Sequence, residues 1–210
     1  NQGLYIGSLA AGAPISSSLI SFLAAGAGAV ARTVQAKERE TWVSVKDFGA
    51  VGDGTTLDDA AWDAAYAATP TGGTLFHPVA PSGYLISTKK AIAKHIRLVF
   101  EGSRAVANNE FPGSYLLKKS TMAANGVEIT ANGVTWDGGG VVGASGNTGD
   151  GIVVLANNVT LDQPCGINCG NDGIRVGSDA GVNANTFHII KPVCSGNTRH
   201  GIYIHDGGVD

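Results

Sequence analysis

Apolar and polar positions alternate in short runs along most of the chain, and the runs repeat. Four segments share the pattern Gly, apolar, any residue, apolar: Gly126-Val127-Glu128-Ile129, Gly151-Ile152-Val153-Val154, Gly173-Ile174-Arg175-Val176 and Gly201-Ile202-Tyr203-Ile204. A second set accompanies them: Val134-Thr135-Trp136, Val159-Thr160-Leu161 and Phe187-His188-Ile189. Gly126 to Val134 and Gly151 to Val159 both span 8 residues, and Val159 to Gly173 and Phe187 to Gly201 both span 14. Pro164 and Pro192 fall at the same place within those longer spans. The repeating unit is 22–28 residues, with two short strands and insertions at fixed corners. One such unit cannot bury its own apolar face, whereas stacked units share a continuous core, which is the logic of a solenoid. Short strands of this kind predict parallel stacking in a β-helix. Alternation turns Val127/Ile129, Ile152/Val154, Ile174/Val176 and Ile202/Ile204 inward and leaves Glu128, Val153, Arg175 and Tyr203 as an outward row.

Upstream, Val43 and Val45 alternate with polar neighbours, and a glycine-punctuated loop follows at 48–54. A helix is expected from Leu57 to Ala68, capped by Thr55 or Thr56, with Asp58 and Asp59 in its first turn. Ala61, Trp62, Ala65 and Tyr66 share one face, and Pro70 with Gly72-Gly73 ends it. Its expected role is to lid the open end of the first coil. Further strands are expected at 74–76, 84–86, 96–100 and 115–117. Residues 30–41 read as a short helix with Val30 and Val34 on one face. That stripe is too thin to hold a helix in water, so a three-fold bundle of identical helices is expected. Residues 1–29 are rich in small residues, with Leu19, Ile20, Phe22 and Leu23 as candidates for docking on a partner or on symmetry mates. The chain thus divides at 41/42.

Composition narrows the function classes. The 31 Gly and 15% charged residues suit turn-rich β architecture. A net charge of −3 supplies no basic field for nucleic acid. No run approaches the roughly 18 apolar residues of a membrane span. Cys165, Cys169 and Cys194 lack CxxC spacing and read as reduced, buried thiols of a protein assembled in cytoplasm. No metal site and no cofactor are expected. Gly49, Gly52 and Gly54 lack the Lys-Ser/Thr of a phosphate loop, and the His residues show no paired spacing. Because the sequence stops at Asp210, just after a new coil begins, a longer natural chain is expected.

The segment from Val43 through Phe48-Gly49-Ala50-Val51-Gly52-Asp53-Gly54 to Asp59 resembles the opening motif of pectate-lyase-like β-helix proteins. So do Gly72-Gly73-Thr74-Leu75-Phe76 and Gly83-Tyr84-Leu85-Ile86. Between those two pieces the family's Pro-Pro-Gly is replaced by the longer 77–83. The stretch from Gly26 to Glu40, running directly into the motif, resembles the neck of bacteriophage tailspikes. This resemblance implies a right-handed parallel β-helix over 42–210. It also implies a homotrimer whose residues 1–41 hold a phage tail, baseplate or portal-proximal protein, through Leu19, Phe22 and Leu23. The implied location is the virion, and the implied ligand is a host surface polysaccharide. An alternative is a depolymerase, a lyase or glycoside hydrolase acting on capsule or lipopolysaccharide.

Cleavage by hydrolysis needs two carboxyl groups about 5–5.5 Å apart for retention or about 6.5–9.5 Å for inversion. Equal positions in neighbouring coils lie about 4.8 Å apart. The residue before each repeat Gly forms such a column: Asn125, Asp150, Asp172 and His200. Asp150, Asp172 and His200 are therefore the catalytic candidates, with Arg175 and Tyr203 as substrate-binding candidates on the outward row. Asn, Asp and His before Gly are also ordinary turn residues. Asp137 and Asp162 are expected to align across coils.

Overall fold

Short strands with bulky residues at alternate positions gain little as isolated pairs and much when each coil roofs the one before it. The computed structural model follows that rule. It describes residues 16, 18–23, 27–38, 42–102, 113–178 and 184–205 and divides into two units, Asn1–Thr41 and Trp42–Asp210.

The second unit is a parallel β-helix. Among the described residues the chain circles through three parallel sheets in five successive coils. The first sheet holds Trp42–Ser44, Thr74–His77, Arg97–Phe100, Thr135–Asp137, Val159–Asp162 and Phe187–Ile190; the second holds Tyr84–Ile86, Leu116–Lys118, Gly140–Gly143, Cys165–Ile167 and Val193–Ser195. The third holds Lys90–Ile92, Val127–Ile129, Ile152–Val154, Ile174–Val176 and Ile202–Ile204. Register stacks like on like. Val43, Leu75, Leu98, Trp136 and Leu161 form one inward column, and all are buried. Ile92, Ile129, Val154 and Val176 form another, fully buried. Asp137 pairs with Asp162 across coils, as expected.

The coils differ from the sequence reading in one respect. Each coil has three strands, not two. The second sheet is hard to read because Cys165–Ile167 is buried at every position and Gly140–Gly143 at three of four, so no alternation marks them. Val153 holds its place in the outward row and is nevertheless fully buried. Its register neighbours are Glu128 and Arg175, whose long side chains flank it.

A helix, Asp59–Ala68, packs against Trp42–Ser44 and the following 3₁₀ turn at the start of the solenoid. It begins two residues later than the sequence implied. Asp53, rather than Thr55 or Thr56, organises the loop before it: its carboxylate accepts the backbone N–H groups of Thr55 and Thr56 and the Thr56 hydroxyl. Trp62 lies buried on the helix's inner face, and its Nε1–H donates to His77 Nε2 at 2.9 Å. His77 stacks on Phe100 at 3.9 Å, and Phe100 stacks on Trp136 at 4.7 Å. The buried Lys90 ammonium pins the helix to the third sheet through Asp59 at 2.8 Å and Asp63 at 3.0 Å.

In the first unit, Ser21–Phe22 pairs antiparallel with Arg32–Thr33, and the helix is confined to Val34–Glu38. The helix expected over 30–41 therefore starts later, because Arg32 and Thr33 are extended by that pairing. Thr33 Oγ1 accepts the Ala36 N–H at 3.0 Å and caps the turn. The last three positions of that expectation, 39–41, lie outside the described residues.

Candidate functional site

The corner between the second and third sheets is built by a chain of side chains that each hold the next coil. Asn125 Oδ1 accepts the backbone N–H of Asp150 at 2.9 Å. Asp150 Oδ1 accepts that of Asp172 at 3.0 Å, and Asp172 Oδ1 accepts that of His200 at 3.1 Å. The backbone reinforces the column in the other direction, with Gly126, Gly151 and Gly173 N–H donating to the carbonyls of Asp150, Asp172 and His200. A buried corner N–H without a partner is costly, so an acceptor on a short side chain at each rung is the local solution.

The structure thus brings Asp150, Asp172 and His200 together on successive rungs. It also shows how fully the two carboxylates are engaged. Both are buried. Asp150 Oδ1 additionally accepts from Asn171 Nδ2 at 2.8 Å. Arg175 Nε lies 2.8 Å from Asp150 Oδ2, a charge contact whose direction does not meet hydrogen-bond geometry. Asp172 receives Arg199 Nε at 3.2 Å and Nη2 at 2.7 Å, and His200 Nδ1–H directs its proton to Oδ1 at 2.9 Å. The hydrogen bonds to Asp172 push the Arg199 guanidinium above its ordinary range.

The outer side of this corner presents donors and one aromatic ring. Tyr203 stacks on His200 with ring centroids 5.1 Å apart, and the Arg199 guanidinium sits 5.2 Å from the Tyr203 ring. The terminal nitrogens of Arg175 find no acceptor among the described residues. Further along the row, Glu128 is held by Lys89 and by Asn125 Nδ2. Burial alone pushes its carboxyl up, but those two bonds outweigh it and hold the group low.

Several functional parts escaped the sequence. Arg199 lies outside the repeat pattern and was not singled out. Lys118 points into the solenoid, where its buried ammonium donates to the carbonyls of Thr148 at 2.7 Å, Gly149 at 3.3 Å and Asp150 at 3.2 Å. Desolvation lowers its pKa. A second ladder runs up the corner before the first sheet, with Asn132 Oδ1 accepting from Asn157 N at 2.8 Å and Asn157 Oδ1 from Asn185 N at 2.7 Å. The repeated Ala-Asn pairs at 131–132, 156–157 and 184–185 were the available signal. Leu19, Phe22 and Leu23 are exposed in the first unit. Burial pushes the Cys165 and Cys169 thiols up, the latter to about 12.

Comparison with known proteins agrees with this architecture. Residues 42–209 match the family described as rhamnogalacturonase A/epimerase, pectate lyase-like. Among solved structures, ORF18 of Geobacillus virus E2 aligns with a TM-score of 0.52 at 18% identity, covering 81% of this chain and 42% of that one. The A-module of the Azotobacter vinelandii mannuronan C-5 epimerase gives a TM-score of 0.40 at 19% identity, covering 79% and 55%. Tailspike protein 3 of bacteriophage CBA120 gives 0.36 at 16% identity, covering 90% and 38%. The chain therefore spans about half or less of each of these solved chains. No functionally curated protein matches the sequence.

Proposed function

The chain belongs to the rhamnogalacturonase A/epimerase, pectate lyase-like family, and from that premise we propose that it is part of a phage tailspike or tail fibre whose β-helix binds a host surface polysaccharide. The observation that carries the reading is the outer side of the ladder corner. There the terminal nitrogens of Arg175 have no acceptor among the described residues, and Arg199 and His200 keep about half of their side-chain surface exposed beside Tyr203. Guanidinium donors next to an aromatic face suit a glycan, which offers hydroxyl and carboxylate acceptors together with apolar sugar faces.

Residues 1–41 are assigned to virion attachment on a phage tail, baseplate or portal-proximal protein. Exposed Leu19, Phe22 and Leu23 are the contacts proposed for it, and the neck-like stretch 26–40 is the support for a homotrimer. The virion is the proposed location, after assembly in the host cytoplasm.

The alternative is a depolymerase using Asp150, Asp172 and His200, favoured by their places on consecutive rungs. We prefer binding, because both carboxylates are buried and taken up by ladder bonds and arginines. The test is retention of bacterial capsular and O-antigen polysaccharides by the intact protein, with reducing-end release assayed in parallel. Retention without release supports binding. Release that Asp172→Asn abolishes moves the assignment to the depolymerase.

A further inference from the structure

Beside the charged outer face, the same corner carries a concave surface that contains no charge. The turns of three successive coils, 143–147, 168–170 and 196–198, enclose a groove of about 340 Å³. That volume is within the roughly 300–1,000 Å³ of small-molecule sites. Across three coils it extends about 10 Å along the solenoid. Every residue lining it is uncharged.

Its floor is rigid. Asn147 Nδ2 donates to the carbonyls of Ala144 and Asn168, and its Oδ1 accepts the Gly170 N–H at 3.1 Å. Lys118 holds the Thr148 and Gly149 carbonyls from inside. A Cβ on Gly170 would lie 2.2 Å from the Asn147 carbonyl oxygen, so coils meet there at backbone distance. The rim differs. Ser145, Asn168 and Thr198 are exposed, and no protein hydrogen bond engages their hydroxyl or carboxamide groups among the described residues. Asn168 is held in the left-handed region at φ 52°, which fixes where its carboxamide starts. Three neutral donor–acceptor groups around a preorganised concavity recognise a neutral ligand with several hydroxyls; a carboxylate or phosphate would meet no cation here.

We propose that this groove holds a neutral sugar residue of the glycan whose charged or polar neighbour contacts Arg175. The chain runs from Cys169 in the groove directly to Asp172 and the Arg175 strand, so one bound oligosaccharide can span both. This rests on the polysaccharide-binding reading. The two sites differ in physics: the Arg175 contribution weakens with salt, and the groove contribution does not.

The experiment takes the strongest-binding polysaccharide from an array of purified bacterial capsular and O-antigen polysaccharides. Its affinity for the intact protein is then measured at several salt concentrations. Ser145→Trp or Thr198→Trp fills the groove from an exposed position and is expected to weaken binding about tenfold without altering the salt dependence. Asn168→Gly keeps the left-handed backbone and removes the carboxamide, with an expected loss of about fivefold. Arg175→Gln is expected to flatten the salt dependence. Unchanged affinity in both tryptophan variants, with their melting temperatures intact, overturns the groove assignment and leaves polysaccharide binding standing. A wild-type protein that retains no polysaccharide overturns both.

Discussion

Asp150 Oδ1 accepts the backbone N–H of Asp172 at 3.0 Å, so a carboxylate of one coil is the hydrogen-bond acceptor that seats the next. The relationship repeats one rung higher, from Asp172 to His200, and one rung lower, from Asn125 to Asp150. Acidic residues at two of these rungs bring a cost that asparagine would not, and Arg175 and Arg199 offset it.

The ladder predicts an ordering of variants. Asp150→Ala removes the acceptor for Asp172 and Asn171 and strands Arg175, at an expected cost of about 3 kcal/mol. Asp150→Asn keeps an oxygen at the same place and is expected to cost about 1 kcal/mol. Urea unfolding of the two variants checks the order; equal losses would mean that the charge, not the ladder bond, sets stability at this rung.

Lys118 makes a second prediction. Lys118→Met retains the apolar stem but leaves the Thr148 and Gly149 carbonyls without their donor. Release of the buried charge offsets part of that loss, and about 2 kcal/mol of destabilisation is expected. Increased amide exchange in residues 145–150 would locate the damage at the corner.

His77 gives a pH dependence with a definite sign. Burial lowers its pKa to about 3, and its Nε2 is occupied as an acceptor by Trp62. The unfolded chain takes up the proton first, near pH 6.5. Stability from this group is therefore complete above that pH and is lost as pH falls, by about 1.4 kcal/mol per pH unit. Unfolding free energies between pH 6.5 and 5 test it, before carboxylates titrate. His77→Leu should flatten the slope in that window while lowering stability at pH 7, since Trp62 loses its acceptor.

Lys90 ties the capping helix to the third sheet from a fully buried position. Burial alone raises the Asp59 carboxyl, but Lys90 and the bonds from Thr88 and Ser87 outweigh it and hold it low. Lys90→Met leaves Asp59 without its counter-charge, held only by the Ser87 and Thr88 bonds, with an expected loss of about 2 kcal/mol. Limited proteolysis should then cut first within or beside Asp59–Ala68; an unchanged cleavage pattern would mean that Trp62, the Ser87 and Thr88 bonds to Asp59 and the Lys94 bonds to the last carbonyls hold the helix without Lys90.

The sequence made the third sheet legible, because Gly126, Gly151, Gly173 and Gly201 mark equivalent points and an apolar residue stands one and three places after each. It did not reveal the second sheet. Gly140 and Gly166 carry no side chain, and Cys165 and Ile167 are both buried, so burial on both faces erased the period-two signal. The column from Asn125 to His200 was readable as a column. Its chemistry was not, since a side chain reaching the N–H of the residue one coil on leaves no local trace. Arg199 was missed for the same reason: its partner Asp172 is 27 residues away in sequence and one coil away in space. Arg32 and Thr33 carry a weak local preference for helix, and pairing with Ser21–Phe22 overrides it.

The proposed function stands most directly on whether the outer face at Arg175 and Tyr203 binds host glycan. The measurement is the affinity of intact wild-type protein and of an Arg175→Gln/Tyr203→Ala double variant for bacterial capsular and O-antigen polysaccharides, with unfolding curves as a control for fold. Binding by the wild type and a loss of at least about tenfold in the folded double variant are the expected result. Undiminished binding by a folded double variant, or no binding by the wild type to any polysaccharide, would contradict it.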